Sequence, residues 1–444
     1  MSPTPDAADR FVYDRYTLDP DAGQLTCHYR MGKRPFAERF TFGPAGDWGS
    51  PALDAAARTV FLLAGVSYFK TKAPRVVDLG DLATTVAERR FLRRFYVEGL
   101  AEFAYRNHLD LSGLEVHGPS LDRREPVSYR GEPGRPIVPF GGGIDSIVTA
   151  ELVRRRHPGA RLCIVDRPDD RFEAIERPAA VTGLPVSRVE RAVDPAVIRS
   201  AELGFLNGHV PVTGIISAVA VVAAVLGGHD SVVMSNEWSA SIGNLVVDGH
   251  TVNHQWSKGF DFEKELRGHL AATLQPGVDY YSLLRPYSEL WVARRFAALG
   301  TYHRVFRSCN RAFHIDRGRR LDHWCGTCDK CCFTDLVLAP FLSTAELSDI
   351  FDGHEPLANE DLDNRFRALL GLRLETKPFE CVGDVEECRA ALSLAAARPD
   401  RLDTPLLHKL VAEVGPDVAD PAPLFGLMGE HFIPDADTPQ DQLV

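Results

Sequence analysis

Ile137-Val138-Pro139-Phe140-Gly141-Gly142-Gly143-Ile144-Asp145-Ser146 is the stretch on which the reading of this chain turns. An apolar run of the kind that forms a buried strand breaks into three consecutive glycines, and an amphipathic segment from Ile147 to Arg156 follows at once. Three glycines let a backbone turn sharply, visit positive φ and admit an anion without Cβ atoms in the way. Successive N–H groups then face one concavity, and the helix that follows adds its unpaired N–H groups and the positive end of its dipole. A polyphosphate fits there, with Gly141, Gly142, Gly143, Asp145 and Ser146 as its candidate contacts.

Spelling excludes two better-known nucleotide loops. A P-loop ends in Gly-Lys-Ser/Thr, and Ile144-Asp145-Ser146 has no lysine; a Gly-x-Gly-x-x-Gly counted from Gly141 ends on Ser146. What remains resembles the loop of the ATP pyrophosphatases, Ser-Gly-Gly-x-Asp-Ser, which cleave ATP between its α- and β-phosphates. Gly141 stands where that loop has its first serine. A glycine-rich turn ahead of an ordinary helix is the plainer reading of the same letters.

Outward from the loop, strand and helix patterns alternate. Arg161 to Asp166 reads as a strand, Glu173 to Thr182 as a helix, Pro185 to Val189 as a strand, Val212 to Leu226 as a long helix and Ser231 to Ser235 as a strand. Such alternation predicts an α/β fold, a parallel sheet with helices on both faces and ligands at the carboxyl ends of its strands. Those ends are the glycine loop, Asp166 and Asn236-Glu237-Trp238-Ser239. Upstream, Phe11 to Leu18, Leu25 to Arg30 and Phe36 to Phe42 alternate as an antiparallel meander, followed by helical patterns at Pro51 to Phe69 and Thr85 to Arg106. Pro286 to Ala298 is helical, and from Ser343 onward only helices are expected, with Asp384 and Glu387 spelling a capping box. The expected division is an N-terminal α+β domain over 1–130, the sheet domain over 131–300, a cysteine cluster over 301–342, a helical region over 343–434 and a disordered tail over 435–444.

The chain has 444 residues, enough for two or three domains, and 50 basic against 61 acidic residues give a net charge of −11. That balance argues against a sequence-independent nucleic-acid binder and leaves room for a small basic pocket. The polar stretch Met1 to Arg10 lacks the apolar core of a secretory signal, and the longest apolar candidate for a membrane span, Ile215 to Leu226, is about half the required length. The expectation is a cytoplasmic protein without a membrane span, its nine cysteines thiols or metal ligands. Oligomeric state leaves no trace in the sequence.

Cys309, Cys325, Cys328 and Cys331 have the spacing C-x15-C-x2-C-x2-C, which suits a closed, structural zinc site; free thiols in a tight turn would carry the same letters, and Cys332 beside Cys331 leaves the fourth ligand open. Cys27, Cys163, Cys381 and Cys388 read as buried small hydrophobes. Asn207 to Gly214 introduces the long helix, whose start at Thr213 can hold a phosphate or serve as an ordinary helix start. Ser235 to Asn244 is unusually polar for the exit of a buried strand, and Asn253 to Glu263 places His254, Lys258 and two acids within a short span. These are the groups that a polar ligand and a proton transfer require, or a solvated loop. Arg285 at a helix entrance can grip an anion.

Six segments, Ser235 to Asn244, Asn253 to Glu263, Leu284 to Leu290, Ser308 to Phe313, Trp324 to Phe333 and Lys377 to Gly383, together resemble the ATP-dependent UDP-N-acetylmuramoyl-L-alanyl-L-glutamate epimerase family, over most of the chain. The sheet domain and cysteines also resemble the deazaguanine-nitrile synthases, which lack the N-terminal domain and the long helical C-terminus. The epimerase resemblance implies a bacterial enzyme of peptidoglycan precursor synthesis with an ATP pyrophosphatase (PP-loop) core, acting on UDP-MurNAc-L-Ala-L-Glu with ATP and Mg2+ and releasing AMP and pyrophosphate. It implies Gly142, Gly143 and Ser146 on pyrophosphate, Asp145 near magnesium, Glu237, His254 and Lys258 as candidates for proton transfer, and Asn236, Asn244 and Arg285 on substrate, with Lys258 alternatively beside Arg285 on the substrate's γ-carboxylate or diphosphate. An adenylating ligase or thiolase acting on a nucleobase, RNA or another carboxylate is one competing expectation, and a non-catalytic nucleotide-sensing module is another.

Overall fold

Period-two alternation along the strands divides their side chains between two cores. The computed structural model describes residues 10–247, 249–314, 316–372, 379–416 and 420–439. Its strands are β1 (Arg10–Asp19), β2 (Gln24–Met31), β3 (Arg34–Thr41), β4 (Val76–Asp78), β5 (Glu115–His117), β6 (Ile137–Pro139), β7 (Arg161–Asp166), β8 (Val186–Ala192), β9 (Ser231–Met234), β10 (Leu245–Val247), β11 (His250–Val252) and β12 (Asp279–Ser282). Ile137, Val232 and Tyr280 enter one core, and their neighbours Val138, Val233 and Tyr281 enter the other. Strands apolar on both faces need helices on both, and the chain supplies them.

Ten strands form one sheet in the order β12-β9-β6-β7-β8-β3-β2-β1-β4-β5, while β10 and β11 make a separate hairpin. β12, β9, β6, β7 and β8 are mutually parallel, as the alternation predicts. The meander is present but does not stand apart: β3 runs antiparallel to β8 through Arg39–Ala192, Phe40–Arg191 and Thr41–Glu190. Beside that seam the fully buried Glu38 pairs with Arg191. Counted from β6, the parallel half has the order 3-2-1-4-5 reversed from the β12 edge, so the chain changes direction across the sheet at β6. The glycine loop that follows β6 therefore lies at the switch point, where the carboxyl ends of neighbouring strands open a crevice.

On one face the helices Pro51–Ala64 and Val212–Gly227 pack together, and on the other lie Ile144–Arg156, Glu289–Ala297, Asp329–Leu338 and Val385–Ala396. Pro51–Phe69 is long and apolar enough to cross a membrane, a length the sequence reading assigned to no segment, but 89% of it is buried inside the fold. Its Arg58 is nearly fully buried and paired with Glu88. Short strands β4, β5 and β12 and the helix Phe260–Thr273 escaped the sequence reading. Strands of three or four residues carry too little period to see, and the helix opens on acids that read as a polar loop.

Residues 435–439, assigned from composition to a loose tail, are held in place. Asp437 accepts from the Tyr281 hydroxyl at 2.8 Å and pairs with His157 at 2.7 Å, and the Pro439 carbonyl accepts from Tyr287 at 3.3 Å. The rest of that tail, 440–444, and the N-terminal stretch 1–9 lie outside the described residues.

Candidate active site

β6 delivers the chain into the glycine loop, and the Phe140 amide donates to the Cys163 carbonyl at 2.9 Å to extend the pairing by one residue. Gly142 adopts φ +75°, and a Cβ there would stand 2.3 Å from the Ala174 carbonyl oxygen. Only glycine fits. Gly143 caps the helix Ile144–Arg156, Asp145 lies in its first turn, and the Ser146 hydroxyl donates to the Gly143 carbonyl at 3.0 Å. Gly141 is exposed, and a Cβ on it would meet nothing within 4 Å. Gly142→Ala is thus expected to lose about 2 kcal/mol or more to left-handed strain and the backbone clash, whereas Gly141→Ser stays within about 0.5 kcal/mol of the parent in urea unfolding.

At the end of β7, Asp166 is buried and accepts from Arg188 at 2.9 Å, while its Oδ1 has no partner; burial first, against the pull of Arg188, raises its carboxyl. Thr213 falls in the first turn of Val212–Gly227, where Pro211 and Gly214 pack against Gly99 and Phe95 of the N-terminal helices. Asn236 exchanges two hydrogen bonds with the Ser282 hydroxyl at 2.6 and 2.7 Å, tying β9's exit to β12. Asn244 accepts from the His254 amide at 2.8 Å and sets the course of that loop.

Arg285 is placed differently from a substrate-gripping arginine. It is 1% exposed, donates to Glu263 at 2.9 Å and to the Glu237 carbonyl at 2.8 Å, and donates also to the Lys258 carbonyl. One guanidinium thereby fixes the loops that carry Glu237 and Lys258. Arg285→Met would leave Glu263 buried without its cation, and a loss of about 3–5 kcal/mol in urea unfolding is expected.

Those loops converge on the segment Phe379 to Gly383; its preceding Lys377 and Pro378 lie outside the described residues. Lys258 donates to Cys381 Sγ at 3.3 Å, and His254 acts on the same sulfur through its charge. The other face of His254 meets Glu102 through Nδ1, and the His209 ring lies against it at 4.1 Å between centroids. Lys330 donates to the Cys381 carbonyl, and Arg106 lies 4.8 Å over the Phe379 ring, so the segment is held from two sides.

Charge in this cluster follows from contact and burial. Burial would push the Cys381 thiol up, but Lys258, His254 and Lys330 pull harder and bring it down to about 6. Burial would lower His254, but Cys381 and Glu102 raise it to about 9. Burial works against the charge of Lys258 too, and Cys381, Glu237 and Asp145 more than restore it, keeping it ammonium. His209, desolvated and beside the cationic His254, falls to about 4. Burial and then Glu237 raise Asp145 to about 6, and burial raises Glu387 to about 7. Lys258 therefore bonds to a thiolate and feels the charges of Asp145 and Glu237 as well. Cys381, taken from the sequence as a buried apolar filler, is in fact the centre of a polar cluster. Nothing local signals it, because His254, Lys258 and Lys330 act on it from far along the chain; only its place in the last family-like segment pointed there.

A second gathering lies close by. Cys309, Cys325, Cys328 and Cys331 bring their sulfurs within 4.8 Å of one another. Cys332 faces the apolar core instead. Lys330, between two of the four cysteines, is the residue that holds the Cys381 carbonyl. A cleft of about 340 Å³ lined by Trp238, Trp256, Phe260 and Arg285 adjoins the Lys258 loop but does not contain the charged cluster; the chemistry is placed by the cluster, not by the cleft.

A family model described as the MurL N-terminal domain matches residues 2–283, and one described as the MurL C-terminal domain matches residues 305–423. Three curated relatives bear the name UDP-N-acetyl-alpha-D-muramoyl-L-alanyl-L-glutamate epimerase. The protein from Xanthomonas oryzae pv. oryzae is 36% identical over 96% of this chain and 95% of its own length. That from Salinispora tropica is 39% identical over 91% and 89%, and that from a Micromonospora species 38% over 96% and 96%. No solved structure matches the chain.

Proposed function

The chain belongs to the MurL family, and from that premise we propose that it is an isomerase inverting the terminal L-Glu of UDP-MurNAc-L-Ala-L-Glu to D-Glu in cytoplasmic peptidoglycan precursor synthesis, at the expense of ATP. The physical need for ATP is plain. Deprotonating Cα beside a carboxylate places a second negative charge against the first, whereas in an acyl-adenylate the acyl group itself is uncharged and the charge of the enolate spreads onto its one oxygen. The five parallel strands from β12 to β8, with the glycine loop at their switch point, form on this reading a PP-loop ATP pyrophosphatase core.

The observation that carries the proposal is Lys258, which donates to Cys381 Sγ at 3.3 Å and feels the charges of Glu237 and of Asp145 in the glycine loop. Acyl activation and proton transfer then share one lysine. Gly142, Gly143 and Ser146 would cradle pyrophosphate with backbone N–H groups at the helix start. Asp145 and Glu237, two carboxylates pressing on each other, are the hard oxygen donors that Mg2+ takes, and that ion when bound neutralises the phosphates. Asp166 and Thr213 complete the candidate ATP contacts. Asn236 and Asn244 shape the substrate side, and Arg285 holds both loops in register. His254 and Lys258, both kept cationic, donate protons or steady anions, while Glu237 offers a carboxylate across Lys258. The four cysteines suit a closed, structural zinc.

The test is incubation with ATP, magnesium and UDP-MurNAc-L-Ala-L-Glu in deuterated water. AMP, D-glutamate and deuterium at Cα should appear together. AMP without Cα deuterium would leave an adenylating enzyme of another kind and remove the epimerase.

A further inference from the structure

Inversion needs a base on one face of Cα, and the groups expected from the sequence to provide it are poorly suited. Lys258 is held as ammonium by three anionic neighbours, and His254 carries its proton up to a pH of about 9. Neither accepts a proton readily near neutrality. His254 is also engaged by Glu102 through Nδ1 and lies within the influence of the Cys381 charge. The Glu102 carboxylate orients the ring, and the ring cation together with the Lys258 ammonium holds the sulfur as thiolate.

The sulfur's surroundings point to a working group. Cys381 is partly exposed in the fold, with Lys258 Nζ 3.3 Å from Sγ, and its backbone is pinned by Lys330. Two lysines and an imidazolium around one sulfur are an expensive arrangement for mere packing, since apolar neighbours would serve that end without burying charge. The alternative reading, a cysteine as filler in an apolar core, fits Cys388 and Cys332, which lie among Leu and Ala side chains. It does not fit Cys381.

Resting on the proposed epimerisation, we infer that Cys381 is a catalytic base that takes the Cα proton on one face of the activated glutamyl residue, positioned by the Glu102–His254 pair and by Lys258. In that step the Cα–H bond breaks and an S–H bond forms. The electron pair left on carbon passes to the acyl oxygen, and no carbon–sulfur bond is made. Return of a proton to the opposite face comes from a different group, and the thiol gives its proton to solvent before the next turnover. With a thiol brought to about 6, the base is ionised at neutral pH and still close enough to it to accept a proton. The charged groups acting on it are Lys258, His254 and Lys330; Glu102 bonds to His254, and Glu237 and Asp145 act on Lys258.

Two measurements on the full-length protein test this. Alkylation of Cys381 by iodoacetamide, followed by peptide mass spectrometry across pH, should show a midpoint near 6, and Glu102→Gln and Lys258→Met should move it up toward the ordinary thiol range of about 8.5. A parent midpoint already at the ordinary value overturns the inference. Cys381→Ala and Cys381→Ser should lose Cα deuterium incorporation by about 10³-fold or more while substrate-dependent exchange of label between pyrophosphate and ATP persists, with melting temperatures confirming that both fold. Deuterium incorporation near the parent rate in Cys381→Ala overturns the base alone. A parent protein with neither label exchange nor Cα deuterium overturns the functional reading, and the base with it.

Discussion

On the proposed function, Asp145→Ala is expected to cut substrate-dependent AMP release by about 10³-fold or more, because it removes the carboxylate that would place the cation at the transferring phosphates. The fold should not suffer. Burial and the Glu237 charge raise this carboxyl from 3.8 to about 6, so the native state holds its proton more tightly than the unfolded chain does. A group raised in this way favours the fold most below pH 3.8, and that favour fades as the pH climbs through 6. At pH 7.5 the ionised Asp145 opposes folding, and its removal should leave the melting temperature unchanged or higher. Functional sites are where such local cost is tolerated. Scanning calorimetry together with AMP release separates the possibilities: lost activity with an intact or raised melting temperature supports the site, whereas full activity sinks its placement at the loop.

The parallel half of the fold was legible because its code is local. Glu173–Thr182 and Arg161–Asp166 occur with the boundaries that apolar periodicity assigns, and the capping box appears where Glu387 accepts from the Asp384 amide at 2.7 Å. The joining of the meander to β8 was not legible, since edge-to-edge pairing between Arg39–Thr41 and Glu190–Ala192 depends on where two distant segments end up. The site divides in the same way. Turn chemistry revealed the loop, and Gly142 requires its glycine as the spelling suggested. Arg285 was seen as an anion grip because a lone arginine at a helix entrance looks the same whether its carboxylate belongs to a ligand or to Glu263, 22 residues away. Cys381 was missed because a thiol's role is set by its neighbours, and these come from two distant segments, one carrying His254 and Lys258 and the other Lys330.

Cys328→Ser is expected to abolish zinc binding and to lower the melting temperature by 10 °C or more (~10 °C) through loss of order around residues 309–338. The sulfurs of Cys309, Cys325, Cys328 and Cys331 lie within 4.8 Å of one another, and four thiolates that close repel unless a soft-ligand cation joins them. In isolated zinc-finger peptides the metal contributes on the order of 10–16 kcal/mol; here the apolar core around Leu336, Leu347 and Leu392 remains, so the loss should be regional rather than global. The effect should nevertheless reach the chemistry. Lys330, between two of the four cysteines in sequence, holds the Cys381 carbonyl, and a cluster that comes apart releases that hold. Cα deuterium incorporation should therefore fall together with zinc content, measured by mass spectrometry of the metal, and more steeply than label exchange between pyrophosphate and ATP. Active parent protein with well under one zinc per chain would refute the metal site, and a Cys328→Ser protein that loses zinc but keeps full epimerisation would break the proposed link through Lys330.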